Sequence, residues 1–553
     1  MPSTQTLAHR ILRQCRDRGM RTAFGVHGAN VEDLYAAAAD VGTFTVVAKH
    51  EFAAGAMADG LARVTGAPSL VMTTSGGAAV NVLAALAESY DSRVPVLALI
   101  GSPPRAVTGR GGFQDMLSPP DTIDLMRALS GLTGYCTVLD RPDAGELAIK
   151  NAFATLDHGL PAAIVVPKDV QAQEVPESFG PVPRPTSAPV VAATPELDRL
   201  ADQLAAERIR GGRICIWLGG EASRRRVGPI VERIANRLGA VVVTSPEGID
   251  TIEAAHSAGV TGVMGHPGAQ RAITAADTCL AIGCRMTLTD RAGLDDALAA
   301  SEVVYLGSQS PRYPQCAEVI VDDLPAALAV IDDRLRAHRL AVEVRSTPDR
   351  DYLVPPPVDG SDMLTLRQIV ETIDAELPDT AKVFVDAGNA GAAALHYLRP
   401  TSGQRVTVAL GMGGMGYAIA AGIGVAIADG TSQPGTRTVV IAGDGAFFMH
   451  GMEIHTAVQY DAAVTLIVLN NNAHGMCVTR EGLYFPAHPS VNRFRPTDIA
   501  AGLAAMFGDL PVFHPTTAEE LSDAAATAFA DRGPKCVVVD CHCDEIPPFA
   551  PFI

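Results

Sequence analysis

Short apolar runs alternate with Ala-rich stretches of helical length along most of the chain. In the first part the runs are Thr22–Val26, Phe44–Val47, Ser69–Met72, Val94–Ile100 and Ala162–Val166. A second set follows at Ile214–Leu218, Val241–Val243, Cys279–Ile282 and Val303–Leu306, and a third at Val383–Val385, Val406–Val408, Val439–Ile441, Val464–Leu469 and Val537–Val539. Continuous rather than alternating apolar runs mark strands buried on both faces, and helices between them imply parallel sheets. The pattern predicts an α/β chain of three doubly wound parallel-sheet domains. Proline-rich linkers at 180–195 and Val354–Val358 divide it into units of 1–180, 190–340 and 355–553.

Composition narrows the function classes. Of 553 residues, 48% are hydrophobic and 19% charged, so large cores are expected; the net charge of −18 disfavours general binding to nucleic acid or anionic membranes. The charged N-terminal segment does not read as a secretory signal, and no apolar run is long enough for a membrane span. The ten cysteines are scattered, with Cys541-His542-Cys543 the one tight cluster and no further zinc ligands nameable. Reduced thiols in the cytoplasm are the expectation.

Open parallel sheets bind ligands beyond the carboxyl ends of their strands. Two such ends carry unusual chemistry. The strand at Thr438–Ala442 runs into Gly443-Asp444-Gly445, and the next ends at Asn470-Asn471-Asn472. Asparagines at a strand end usually form a turn. If the two strands are neighbours, however, a carboxylate and an amide oxygen meet at one point, where glycines admit a close ligand. Such hard oxygens suit Mg²⁺ holding a diphosphate, with helix N-termini facing the anion. Gly411 to Gly416 also fits GxGxxG, but no acidic residue stands at the end of the following strand about 20 positions on, as a dinucleotide fold requires. A glycine turn admitting a bulky cofactor fits equally well.

The GDG…NN pair resembles the diphosphate-binding motif of thiamine diphosphate (ThDP) enzymes. Lys49-His50-Glu51 with the following Ala/Gly-rich segment resembles the stretch that carries their essential glutamate. The resemblance extends over nearly the whole chain and is closest to the acetolactate (acetohydroxyacid) synthase branch, through Thr74–Gly77 with Asn81, Gly112-Phe113-Gln114, Gly283-Cys284-Arg285 and Gly411–Gly416. It implies a pyrimidine-binding first domain, a middle domain and a diphosphate-binding third domain. Asp444 and Asn471 would ligate Mg²⁺ by side chain and Ala473 by its carbonyl. Met415 would support the bent cofactor, and Glu51 would bond the pyrimidine N1′, favouring the tautomer that removes the C2 proton. Asn81, Gly413, Gly443, Gly445, Ala446, His474, Gly475 and Met476 would complete the cofactor site. In the family the two half-sites come from different subunits, so a homodimer or homotetramer is expected.

The resemblance implies that acids which simple decarboxylases place near the reacting carbon are missing here: Ala29, Gly112-Phe113-Gln114 and Cys477 stand at such positions. Slow protonation after CO₂ loss favours carbon–carbon bond formation, so the resemblance implies a carboligase joining a 2-oxo acid donor, such as pyruvate, to a carbonyl acceptor. Phe113, Arg285, Cys477 and Arg480 are the candidate substrate contacts. Arg285 matches an arginine that faces an acceptor carboxylate, with a structural ion pair as the alternative. Arg480 replaces an acceptor-recognising tryptophan and suits a charged or polyhydroxylated acceptor outside branched-chain amino acid synthesis. His27 and Gln114 complete the candidate catalytic residues, although a packed or solvated histidine explains His27 equally well. Gly219-Gly220 and Gly262–His266 resemble an FAD-binding middle domain, which makes FAD a candidate cofactor. A simple decarboxylase, a flavin-linked oxidase or dione hydrolase, and a silent ThDP-fold regulatory subunit are the competing readings.

Overall fold

The computed structural model describes residues 5–175, 195–340, 348–358, 360–432, 435–530 and 532–552. Three fully parallel sheets follow one another along the chain. The first has six strands in the order β2-β1-β3-β4-β6-β5: β1 (Thr22–Val26), β2 (Phe44–Val47), β3 (Ser69–Thr73), β4 (Val96–Ser102), β5 (Tyr135–Val138) and β6 (Ala162–Pro167). The second has five, β11-β10-β9-β7-β8: β7 (Ile214–Leu218), β8 (Val241–Thr244), β9 (Thr278–Ile282), β10 (Glu302–Gly307) and β11 (Ala317–Ile320). The third repeats the six-stranded pattern, β13-β12-β14-β15-β17-β16: β12 (Lys382–Val385), β13 (Arg405–Val408), β14 (Thr438–Gly443), β15 (Val464–Asn470), β16 (Val512–Phe513) and β17 (Lys535–Asp540).

Every apolar run read as a strand is one. The three strands the pattern misses, β5, β11 and β16, are all sheet edges. An edge strand needs no continuous apolar run because part of its surface meets solvent; β11 is mostly exposed, and β16 is two residues long. The run at Val94 starts two residues late, at Val96, because Pro95 lacks the N–H a ladder needs. The linker at 180–195 lies outside the described residues except for Pro195, which begins the Pro195–Ile209 helix. Val354–Val358 has neither helix nor strand.

Both faces of the third sheet are covered, as fully buried strands require. Along β14, Val440 and Ala442 face one core while Val439 and Ile441 face another. The first of these cores is shared with the first domain. The helices Glu51–Thr65 and Tyr417–Ser432 cross there with glycine on each side: a Cβ on Gly60 would sit 2.7 Å from that of Ala421, and Gly424 lies against Met57. Small residues bring the helix axes close and fix the first sheet against the third.

Candidate active site

Strands β14 and β15 pair in parallel with Gly443 opposite Leu469, so the GDG turn and the asparagine run leave the sheet side by side. Asp444 begins the Asp444–His450 helix, and Gly475 begins the Gly475–Tyr484 helix. The return from β14 to β15 is two short helices, Asp444–His450 and Ile454–Gln459, parted by a 3₁₀ turn at Gly451–Glu453. A third strand end, that of β12, brings the start of the Gly388–Tyr397 helix to the same place. Together they line a cleft that opens to solvent, with about 540 Å³ of empty space including its mouth.

Asp444 is buried; its Oδ2 and the Oδ1 of Asn471 each accept from the Ala473 N–H at 3.1 Å, so the two oxygens converge on one point. Burial pushes the Asp444 carboxyl up to about 6, opposed by backbone N–H groups of Gly445 and Ala473. A buried carboxylate beside an amide oxygen, held up by desolvation, is chemistry that a divalent cation would satisfy. Asn472 adopts a left-handed φ of 50° and turns the chain; its carbonyl and side-chain oxygens accept from Phe494 and Thr497. The asparagine run thus both turns the chain and sets an amide oxygen beside the Asp444 carboxylate.

Glycines leave room for a ligand here. A Cβ at Gly388 or Gly413 would meet nothing within 4 Å, and one at Gly443 only the Leu469 carbonyl at 4.0 Å. Gly445 and Gly475 are different: they make space for protein atoms, His474 Nδ1 at 2.5 Å and Asn471 Nδ2 at 2.5 Å. Met415 lines the cleft with Ala446, Ala473, His474, Met476 and Cys477. His474 Nδ1 and the Oδ1 of Asn389 are buried without hydrogen-bond partners. The donor set, the open glycines and the converging helix N-termini fit Mg²⁺ and a diphosphate.

Among the lining residues that escaped the sequence reading are Gly388, Asn389 and Cys541. The rule applied to β14 and β15 would have found the first two, since Asp386-Ala-Gly-Asn follows β12 in the same way. Cys541 was read as part of a thiol cluster, whereas it lines the cleft while Cys543 accepts from Arg493 at 2.7 Å.

The first-domain candidates form a separate group. Glu51 begins the Glu51–Thr65 helix and accepts from Asn81 Nδ2 at 2.9 Å. Gln114, at φ 62°, accepts from Ser75 Oγ at 3.2 Å, and its neighbour Phe113 is 85% exposed. His27 is exposed, 4.7 Å from the Tyr35 ring. None of these residues lines the cleft. Instead His50 and Phe52, flanking Glu51, pack on His450, at the far end of the helix that Asp444 begins and about 10 Å along it. Arg285 forms an ion pair with Asp91 at 3.2 Å, and the exposed Arg480 lies 5.7 Å over the Tyr484 ring.

The FAD expectation meets a poor fit. A Cβ at Gly219 would overlap the Cys284 backbone, and one at Gly262 the Thr289 carbonyl, so these glycines serve backbone packing. The Glu221 carboxylate, accepting from Ser308 N at 3.1 Å, lies where the ends of β7, β9 and β10 meet, a poor neighbour for a diphosphate.

The fold and cleft define a thiamine diphosphate-dependent enzyme, and the family comparison agrees. The thiamine pyrophosphate enzyme N-terminal TPP binding domain matches residues 5–125, the central domain 197–312 and the C-terminal TPP binding domain 386–541. The chain belongs to this family, on its acetolactate synthase-like branch. It is 26% identical to the probable acetolactate synthase large subunit of Methanocaldococcus jannaschii, over 86% of this chain and 82% of that protein. It is also 26% identical to sulfoacetaldehyde acetyltransferase of Castellaniella defragrans, over 83% and 79%. The Rhodococcus jostii RHA1 thiamine diphosphate-dependent 4-hydroxybenzoylformate decarboxylase superposes with a TM-score of 0.80 at 20% identity, over 97% and 99% of the two chains. Among the described residues no helix is long and apolar enough to cross a membrane.

Proposed function

We propose that this chain is a ThDP- and Mg²⁺-dependent carboligase that decarboxylates a 2-oxo acid, pyruvate in the first instance, and transfers the acyl unit to a carbonyl acceptor. The carrying observation is the cleft wall. Asp444 is the sole carboxylate among the described residues lining it, and beyond the metal corner the wall is Leu366, Asn389, Met415, the His474 ring, Met476 and the thiols of Cys477 and Cys541. When bound, ThDP supplies the electron sink for decarboxylation. Asp444, Asn471 and the Ala473 carbonyl hold the metal. Glu51 holds the proton that the pyrimidine needs, and Met415 supports the ring system. A wall without carboxylic acids slows protonation and leaves time for a carbonyl acceptor. The exposed Arg480 guanidinium suits an anionic or polyhydroxylated acceptor, as does kinship with an acetyltransferase named for sulfoacetaldehyde. This favours a specialised role over branched-chain amino acid synthesis.

Units 1–180, 190–340 and 355–553 carry the pyrimidine, middle and diphosphate roles, and the active site is completed by a second copy. Exposed apolar side chains rim both half-sites: Val80 and Phe113 beside Asn81 and Gln114, and Met412, Phe448 and Met449 beside Met415 and the Asp444 helix. A homodimer or homotetramer covers them; light scattering at micromolar protein reads the mass directly. The ten free thiols suit a reducing cytoplasm.

The deciding experiment supplies ThDP, Mg²⁺, pyruvate and a panel of aldehyde and 2-oxo acid acceptors, and identifies products by mass spectrometry. A new carbon–carbon bond with at least one acceptor is expected. Release of the free aldehyde alone with every acceptor replaces this reading with a simple decarboxylase; yellow protein with oxygen uptake replaces it with an oxidase.

A further inference from the structure

The glycine turn that carries Met415 is held by two carboxylates from different domains. At its rear, Asp386 accepts from Gly416 N at 3.0 Å and Ala418 N at 2.9 Å. At its front, a first-domain residue reaches across: Glu88, on the Leu83–Asp91 helix, accepts from Gly411 N at 3.2 Å, Met412 N at 2.6 Å and Gly413 N at 3.3 Å. Gly411 is needed for this approach, since a Cβ there would stand 3.1 Å from Glu88 Oε1 and 2.9 Å from Ser92 Oγ.

Glu88 is itself fixed. It is 3% exposed and accepts from Ser92 Oγ at 2.7 Å and Arg63 Nη2 at 2.8 Å. Arg63 also reaches Asp59 at 2.6 Å, Glu247 of the middle domain at 3.0 Å, and the Val408 carbonyl at the end of β13 at 3.2 Å. Arg63 belongs to the helix that Glu51 begins, about 18 Å further along. One node therefore ties the Glu51 helix, the middle domain and the Met415 turn together. Arg63 and the donated N–H groups hold the Glu88 carboxyl below its usual range despite its burial.

Clamping three domains would need only the Arg63 ion pairs and its hydrogen bond to the Val408 carbonyl. Three consecutive backbone N–H groups gathered by one carboxylate do something further: they fix the path of 411–413, two residues before the side chain that lines the cofactor cleft. We propose that Glu88 is a positioning residue for the cofactor, acting through the 411–413 amides to hold Met415 in its supporting place. The proposal rests on the ThDP reading of the cleft.

Calorimetric titration with ThDP and Mg²⁺, alongside thermal unfolding of the unliganded protein, tests it. Binding by the unaltered chain comes first, because its failure would overturn the parent reading instead. Glu88→Gln keeps the size but turns an amide N–H₂ toward N–H groups, and is expected to weaken ThDP binding about ten-fold or more, the scale of one or two charge-assisted hydrogen bonds. Glu247→Gln also loses an Arg63 partner but touches no turn amide; it should lower the unfolding temperature and leave ThDP affinity as it was. Ser92→Ala removes a single Glu88 donor, keeps the proposal testable if Glu88→Gln does not fold, and should weaken binding about three-fold. In a Met415→Ala background Glu88→Gln should add little, since both act through one contact. Unchanged ThDP affinity in folded Glu88→Gln and Ser92→Ala, or affinity lost equally in Glu247→Gln, overturns the proposal.

Discussion

The third-domain cleft and the crevice at the strand ends of the middle domain occupy the same place in the same kind of sheet, and both are rich in glycine. They use glycine in opposite ways. In the cleft, Gly388 and Gly443 face open space. In the middle domain, Gly219 and Gly262 are pressed against the backbones of Cys284 and Thr289, while a Cβ on Gly220 would stand 3.0 Å from that of Glu247. The acids differ too. Asp444 shares the Ala473 N–H with the Asn471 oxygen and is pushed up to about 6 by burial, whereas Glu221 accepts from Ser308 N just past the end of β10. A glycine-rich strand end is a ligand site only where the chain leaves the missing Cβ volume empty.

The contrast can be broken at several points. The largest effect is expected from Glu51→Gln, which should reduce ThDP-dependent turnover by about a hundred-fold or more, the usual range for a lost proton-transfer group. Activity unchanged by that substitution would return the chain to the silent regulatory reading. Next come paired glycine substitutions. Gly443→Ala, at a φ of −82° that alanine adopts freely, should leave the unfolding temperature unchanged and weaken ThDP binding about ten-fold by entering the cleft. Gly219→Ala should do the reverse, costing about 1–3 kcal/mol through overpacking while the folded fraction binds ThDP normally. If both behave alike, the comparison fails.

The third effect is one of pH. His266 and His396 stack at 4.4 Å where the middle and third domains meet. His266 accepts from Val260 N at one ring nitrogen and donates to the His396 carbonyl at the other; His396 accepts from Leu353 N and donates to the Met264 carbonyl. Both rings are thereby neutral, and burial lowers His396 to about 4. A histidine held below its unfolded value contributes stability that is complete above about 6.5 and lost as pH falls toward 4, worth about 3 kcal/mol for His396 alone. Unfolding temperatures measured across that window should fall on acidification. The smallest effect is expected from Arg480→Ala, which should raise KM about five-fold for an anionic acceptor and leave the donor KM unchanged, as the loss of one exposed charge contact implies.

Much of the fold was legible in the residues. A strand covered on both faces must be apolar throughout, so the central strands announced themselves, and three of the six edges, which need no such run, did not. Asp444 and Asn471 drew attention because the strand-end rule and the GDG…NN pair point to one place, and the family resemblance added Ala473. Gly388 and Asn389 obey that rule too, but carry no charge or repeat to draw attention. Cys541 drew attention for the wrong reason, since residues adjacent in sequence at a strand end can point to different surroundings.

By itself the sequence determined three parallel sheets, the glycine and asparagine strand ends, and the oxygen donors that suit Mg²⁺, because apolar run length and local turn chemistry are short-range properties. Tertiary structure alone decided which glycines face a cavity, that Arg285 spends its charge on Asp91, and that Glu88 grips a turn more than 320 positions away. Those outcomes depend on which backbones approach one another across domains, and distances of that kind are set by the packing of whole helices and sheets.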